Sequence, residues 1–290
     1  MLEKINHFSN RKHYIITSTN EIDTYYTFLP SVYQMWKKKV PNCTFVVGFV
    51  SDRDENDPFT KRISEFCDEL HVYRRIPEID TGVQAKTTRL YLSTLYGDEV
   101  CTFIDIDQYV LDFDWFFNKI APAFQNGKFV AIGENGYNLT ADTGKWPMPY
   151  NTAPSSVFKK IVNFKNHPDY FSWFDSYKEI VDPVDNKESV MNPFTKYSDE
   201  SLLRYIMVRH PEQEFIKDVW VRKDREDYYM MVASRRIDRG WWVRSYSKDR
   251  LYRGEYIDSF PLRPFNKYVE YLIPILEYLG LDTSSEKILL

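Results

Sequence analysis

The chain has 290 residues, 43% of them hydrophobic, 28% charged and 17% aromatic, with a formal net charge of −4. That length and apolar share suit one large folded domain with a substantial core and exclude a globally disordered chain. The acidic balance argues against a protein built to grip a phosphate backbone, so no nucleic-acid partner is expected.

In chain order, residues 1–13 hold no apolar stretch of the signal-peptide kind, and no segment has the length and apolarity of a transmembrane helix, which implies a cytoplasmic protein. Residues 13–18 read as a strand. Residues 22–38 read as a helix interrupted near Pro30, and residues 43–50 as a nearly continuous apolar strand. A charged loop at 52–58, a helix at 59–67 and a strand at 69–74 follow. Then come a helix at 81–96 opened by a polar residue, a fourth strand at 99–104 and a fifth at 128–133. Short apolar strands separated by helices predict a parallel sheet covered on both faces, with chemistry at the C-terminal strand ends. The remainder is less regular: a long loop at 137–154 rich in Gly, Pro, Asn and Thr, helices at 168–181 and 199–209, and a last helix at 268–279 containing Pro274. Cys43 and Cys101 lie in apolar runs and read as buried thiols; with Cys67 they form no zinc-type spacing.

The most informative stretch is Val100-Cys101-Thr102-Phe103-Ile104-Asp105-Ile106-Asp107. A buried strand ends and two aspartates appear one residue apart. In an extended chain alternate side chains point the same way, so both carboxylates can face one point beyond the sheet. Two hard oxygen donors there suit Mg²⁺ or Mn²⁺, whose other positions go to water and substrate phosphates. An acidic pair in a surface turn is the plainer alternative.

Phe103-Ile104-Asp105-Ile106-Asp107 resembles the DxD motif of GT-A nucleotide-diphospho-sugar glycosyltransferases. Upstream, Gln84-Ala85-Lys86-Thr87-Thr88-Arg89-Leu90 resembles the Lys/Arg pattern that glycogenin-like and lipopolysaccharide galactosyltransferase-like members carry on the helix before that strand. The likeness covers about residues 13–135 well and the rest loosely. It implies a GT-A-like, Rossmann-type α/β fold: a mostly parallel sheet with helices on both faces and a C-terminal acceptor-side region. The domain would be single, 1–290, with a nucleotide-sugar-binding half at about 1–135 and an acceptor-side half at about 136–290. The implied activity is of hexosyltransferase type, moving a sugar from a nucleotide-diphosphate donor to a saccharide or other hydroxyl acceptor, with Mn²⁺ or Mg²⁺ on Asp105 and Asp107.

The resemblance also implies roles for other residues. Lys86 and Arg89 would meet the diphosphate. With Ser93 they form one polar stripe, opposite a buried side of Thr88, Tyr91, Leu92 and Leu95. Thr17 and Ser18, ending the first strand, and Asp52, after the second, would line the nucleotide site, although Ser, Thr and Asp also serve ordinary turns. Asp199 and Glu200 open a helix where such enzymes place a carboxylate facing the reaction centre, and acidic residues also suit a first helical turn. Family members often use a C-terminal His as a further metal ligand. This chain has no His after His210, so the resemblance leaves that position to Asp258 or to a water. The segment Arg235-Arg236-Ile237-Asp238-Arg239-Gly240-Trp241-Trp242 reads either as a flap over a diphosphate or as a twisted strand with a basic edge. Two alternatives share this sheet. A sugar nucleotidyltransferase usually carries a Gly-rich phosphate loop after the first strand, and residues 17–27 hold no Gly. A non-catalytic sugar- or partner-binding module would retain the fold and bind without turnover.

Overall fold

The computed structural model describes residues 11–77, 79–132, 146, 148–178, 198–223 and 235–284. The first four strands are β1 (His13–Asn20), β2 (Thr44–Val50), β3 (Glu69–Tyr73) and β4 (Val100–Phe103). They pair in parallel in the order β3-β2-β1-β4. Strands β6 (Phe129–Ile132), β7 (Thr152–Pro154) and β8 (Trp220–Lys223) continue the sheet in the order β4-β7-β6-β8. Only β7 runs antiparallel to its neighbours, so the seven-stranded sheet is mostly parallel, as expected.

Strand periodicity explains why both faces are covered. Ile15 of β1, Phe45, Val47 and Phe49 of β2 and Val100 of β4 enter one apolar cluster; Ile16, Val46, Cys101 and Phe103 enter the other. Successive side chains point to opposite faces, so a strand apolar throughout feeds two cores. The aromatic excess goes largely into these layers, with Trp36, Trp146, Trp173 and Phe116 all fully buried.

The helices follow the expected order with shifted ends. The first helical region is two helices, α1 (Asp23–Tyr26) and α2 (Leu29–Lys39), with Pro30 in the first turn of α2, where a missing N–H costs nothing. Helix α3 (Pro58–Ser64) is capped by Asp57, and α4 (Thr81–Leu92) by Asp80, which accepts from the N–H groups of Gly82 and Val83 at 3.0 Å each. Gly48 lets α4 lie close on β2: a Cβ there would stand 2.8 Å from Thr88 Oγ1 and 2.9 Å from Leu92 Cδ1.

Several elements depart from the sequence reading. The loop at 137–154 ends in β7, and its residues 137–145 and 147 lie outside the described residues. Helix α5 (Phe113–Asn126), with Pro122 inside and Gly127 closing it at φ 64°, had no counterpart in the reading. Nor did α6 (Ser155–Val162). Helix α7 (Tyr170–Lys178) is shorter than expected within the described residues, α8 (Ser198–Arg209) agrees closely, and α9 (Gln213–Val219) follows it. A second, three-stranded sheet joins β5 (Tyr109–Val110), β9 (Arg236–Asp238) and β10 (Asp258–Phe260) in the order β5-β10-β9. Short helices α10 (Trp242–Ser245) and α11 (Lys248–Tyr252) lead to α12 (Phe265–Tyr278). No helix among the described residues is long and apolar enough to cross a membrane.

Candidate active site

The C-terminal ends of β1 and β4 open onto a cavity of about 360 Å³. That is the size range of small-molecule sites, and the place where parallel sheets put them. Ser18, Thr19 and Asn20 line it from β1, and Gly82, Ala85, Lys86 and Arg89 line it from α4 at the spacing of one helical face. Asp105, Ile106 and Asp107 follow β4; Asp199 and Glu200 come from the first turn of α8. Tyr25, Arg239 and Arg263 complete the wall.

Both aspartates line the cavity, but not from the extended strand expected. They stand in a turn, closed by Gln108 N–H donating to the Asp105 carbonyl at 3.1 Å, rather than in an extended strand. The Asp105 N–H donates back to Gln108 Oε1 at 3.3 Å. The turn therefore replaces strand alternation as the device that brings both carboxylates to the cavity.

Each carboxylate is held by arginine. Arg89, with its side chain only 6% exposed, donates Nη1 to Asp105 Oδ1 at 2.6 Å and to the Ile104 carbonyl at 2.9 Å. Its Nε donates to Asp199 Oδ2 at 3.1 Å, and Nη2 bonds the same oxygen. Burial works to raise the Asp105 carboxyl, but the charge and hydrogen bond of Arg89, joined by Arg263 and Arg239, hold it below the usual carboxylate range. Burial likewise opposes the charge on Arg89, and Asp199 and Asp105 overcome it, so its guanidinium is held more firmly protonated than usual. Asp107, 1% exposed, receives Arg239 Nη1 at 2.9 Å and Arg263 Nε, both on Oδ2. Arg263 also lies over the Tyr25 ring, 4.9 Å from its centroid.

The remaining expectations divide. Ser18 lines the cavity; Thr17, fully buried one residue earlier, is not in the lining. Asp52 is exposed beyond β2, accepts from the Arg75 N–H at 3.2 Å and stays outside the cavity wall. Lys86 and Arg89 share a helical face, but Arg89 and Ser93 are buried rather than solvated, while Leu95, expected on the buried side, is 45% exposed. Asp258 sits in β10, fully buried, accepting from Arg236 at 3.0 and 3.2 Å and from the Tyr150 hydroxyl at 3.2 Å; it is not in the cavity wall. The Arg235–Trp242 segment is no flap: its first part is β9, hydrogen-bonded to β10, and Asp238 caps the turn that follows.

The chain is similar to solved glycosyltransferases. A galactosyltransferase, LgtC, in complex with donor and acceptor sugar analogs is 14% identical, with 87% of each chain covered and a TM-score of 0.41. The glycosyltransferase GlyE of Streptococcus pneumoniae is 12% identical over 96% of this chain and 62% of its own, with a TM-score of 0.44. Glucosyl-3-phosphoglycerate synthase from Mycobacterium tuberculosis, in complex with Mn²⁺, uridine diphosphate and phosphoglyceric acid, is 12% identical over 94% of this chain and 80% of its own, with a TM-score of 0.41. No family model and no curated protein matches the chain.

Among the charged lining residues, Arg239 and Arg263 are those the sequence reading did not assign to the site. Arg239 lies in the segment read as either a flap or a twisted strand with a basic edge, and Arg263 lies five residues after Asp258. The usable signal was the density of arginines in a C-terminal region that must return to the sheet.

Whether a divalent cation fits can be judged from the donor set. Among the described residues no group of three or more His, Cys, Asp or Glu is arranged to hold a metal ion. Two carboxylates do line one cavity, and Mg²⁺-type ions commonly take one or two carboxylates with water and substrate phosphates filling the rest. The donors present fit that shared mode, and they do not form an all-protein cage.

Proposed function

We propose that this cavity binds a nucleotide-diphospho-sugar together with Mn²⁺ or Mg²⁺ and transfers the sugar to an acceptor hydroxyl. The observation that carries the reading is the charge arrangement at the sheet edge. Among the described lining residues, four cations (Lys86, Arg89, Arg239, Arg263) face four carboxylates (Asp105, Asp107, Asp199, Glu200) in one cavity of small-molecule size. A diphosphate and a divalent cation, carrying opposite charges, can enter such a balanced site together with little net change of charge.

Asp105 and Asp107 would hold the cation, which when bound neutralises charge on the departing diphosphate. Lys86, Arg239 and Arg263 would meet the diphosphate oxygens, the arginines through their forked N–H donors. Arg89 is better suited to positioning than to substrate contact, because its donors are spent on Asp105, Asp199 and the Ile104 carbonyl. Asp199 is committed to Arg89. Glu200, one residue on, lines the same wall and is assigned by that place to the acceptor hydroxyl, taking its proton as the sugar is transferred. Ser18 and Asn20 would line the nucleoside end. The division into a nucleotide-sugar half at about 1–135 and an acceptor half at about 136–290 belongs to the same proposal.

A panel of nucleotide-diphospho-sugars, assayed for diphosphate release and for thermal stabilisation with and without Mn²⁺, tests it. One donor should raise the melting temperature and release its diphosphate only with the metal. Absence of binding and turnover across the panel, metal present or not, would sink the reading.

A further inference from the structure

The two arginines on Asp107 differ in kind from the one on Asp105. Arg239 reaches it from the single 3-10 turn Arg239–Trp241 after β9, and Arg263 from the residue pair preceding α12. Both donate to the same atom, Oδ2. Both guanidiniums line the cavity, with side chains 31% and 23% exposed, while the carboxylate they share is 1% exposed. Each also rests on a ring: Arg239 is 5.6 Å from the Phe260 centroid and Arg263 4.9 Å from that of Tyr25.

This arrangement opposes either ligand arriving alone. A divalent cation at Asp107 would meet two guanidiniums already on the carboxylate, so like-charge repulsion adds to the loss of those bonds. A diphosphate arriving without the cation would compete with Asp107 for the same arginines and face its negative charge. Arriving together, they exchange partners: the guanidiniums turn to phosphate oxygens, which accept their forked donors well, and Asp107 turns to the cation. The aromatic supports keep each guanidinium beside the cavity during the exchange.

We infer that Arg239 and Arg263 form a latch on Asp107 that makes cation and diphosphate binding mutually dependent. The inference rests on the proposed metal–diphosphate reading of the cavity. The two ligands are then thermodynamically coupled, and each raises the affinity for the other by the same factor.

The test uses the full chain and three probes: Mn²⁺ alone, inorganic pyrophosphate alone in EDTA, and both together, with Mn²⁺ binding followed by electron paramagnetic resonance and pyrophosphate by calorimetry. The wild type should bind the pair at least about 10-fold more tightly than either alone, within the usual span of coupling. Arg239→Gln and Arg263→Gln should each tighten Mn²⁺ alone and weaken pyrophosphate alone, by about 5-fold or more in opposite directions. General damage to the site lowers both affinities, so the opposite signs are the signature of the latch. Arg239→Lys, which keeps a charge near Asp107, should fall between wild type and Arg239→Gln. Circular dichroism melts confirm that each variant folds. If the wild type binds the pair but the Gln variants leave Mn²⁺ affinity unchanged or weaker, the latch is overturned and the metal reading stands. If Mn²⁺ binds neither alone nor with pyrophosphate, both fall.

Discussion

Two arginine–carboxylate clusters border one cavity and are set at different depths. Arg89, Asp105 and Asp199 join α4, the end of β4 and α8, and the Arg89 and Asp199 side chains are 6% and 3% exposed. Arg239, Arg263 and Asp107 bury the carboxylate but leave both guanidiniums partly open to the cavity. Breaking a buried ion pair strands a charge that cannot be solvated, whereas a partly exposed arginine trades its partner for water or ligand at small cost. The first cluster therefore braces the site, and the second is free to take part in binding.

That contrast can be broken most forcefully at the carboxylate shared by the exposed pair. Asp107→Asn should lower metal-dependent diphosphate release by about 10³-fold, since cation-assisted charge neutralisation is worth several kcal/mol. A steady-state assay at saturating Mn²⁺ measures it, and near-wild-type turnover would remove Asp107 from the chemistry. Next comes the brace. Arg89→Met should cost about 3–5 kcal/mol of stability, because Asp105 and Asp199 both lose their partner. Arg239→Met should cost clearly less, because Arg263 stays on the same Asp107 oxygen. Urea melts of the two variants side by side would erase the distinction if the losses were equal.

Glu200→Gln sharpens the comparison on the α8 side, with turnover expected to drop about 10²-fold. Asp199→Asn should lower the melting temperature by releasing Arg89. The last effect is a pH dependence. The Asp105 carboxyl is held below its ordinary value, so the stability it contributes is present above about pH 4 and lost as pH falls through its lower folded value. His13 acts in the same direction from a different cause. Burial among Trp36, Phe116 and Phe124 pushes its imidazole down to about 3. The unfolded chain therefore takes up a proton near pH 6.5 that the folded chain refuses, and stability declines from about pH 6.5 toward 3. His13→Phe should flatten the upper part of that decline in urea melts between pH 7 and 5.

The part of the molecule legible in sequence is the part built from consecutive elements. Strands β1, β2 and β4 are short and largely buried, and they alternate with helices, two of which open on Asp caps, so a parallel sheet follows from periodicity. Strand β7 was hidden because three residues, Thr152, Ala153 and Pro154, give no alternation to count, and its place is fixed only by pairing with β4 and β6. The Asp105–Asp107 pair stood out because it ends a buried strand. What could not be read was its company: Arg239 and Arg263 reach Asp107 through folding of the distant C-terminal region, and no local pattern encodes that distance. Asp258 illustrates the converse, a residue placed in the site by analogy whose carboxylate is instead occupied by Arg236 and Tyr150 in the small sheet.

That small sheet has a consequence for how the site comes into being. Strand β5 begins two residues after Asp107, and its partner β10 is followed closely by Arg263. The Leu111 and Asp112 amides both donate to the Ile257 carbonyl, at 2.9 and 3.1 Å. The downstream end of the acidic turn is thus stitched to β10, the last strand among the described residues. During synthesis the first four strands can assemble early, but the pocket gains its full wall only when the C-terminal residues arrive. Closure of such a long loop is slow, and until it occurs the half-built sheet edge is a surface on which misassembly can start.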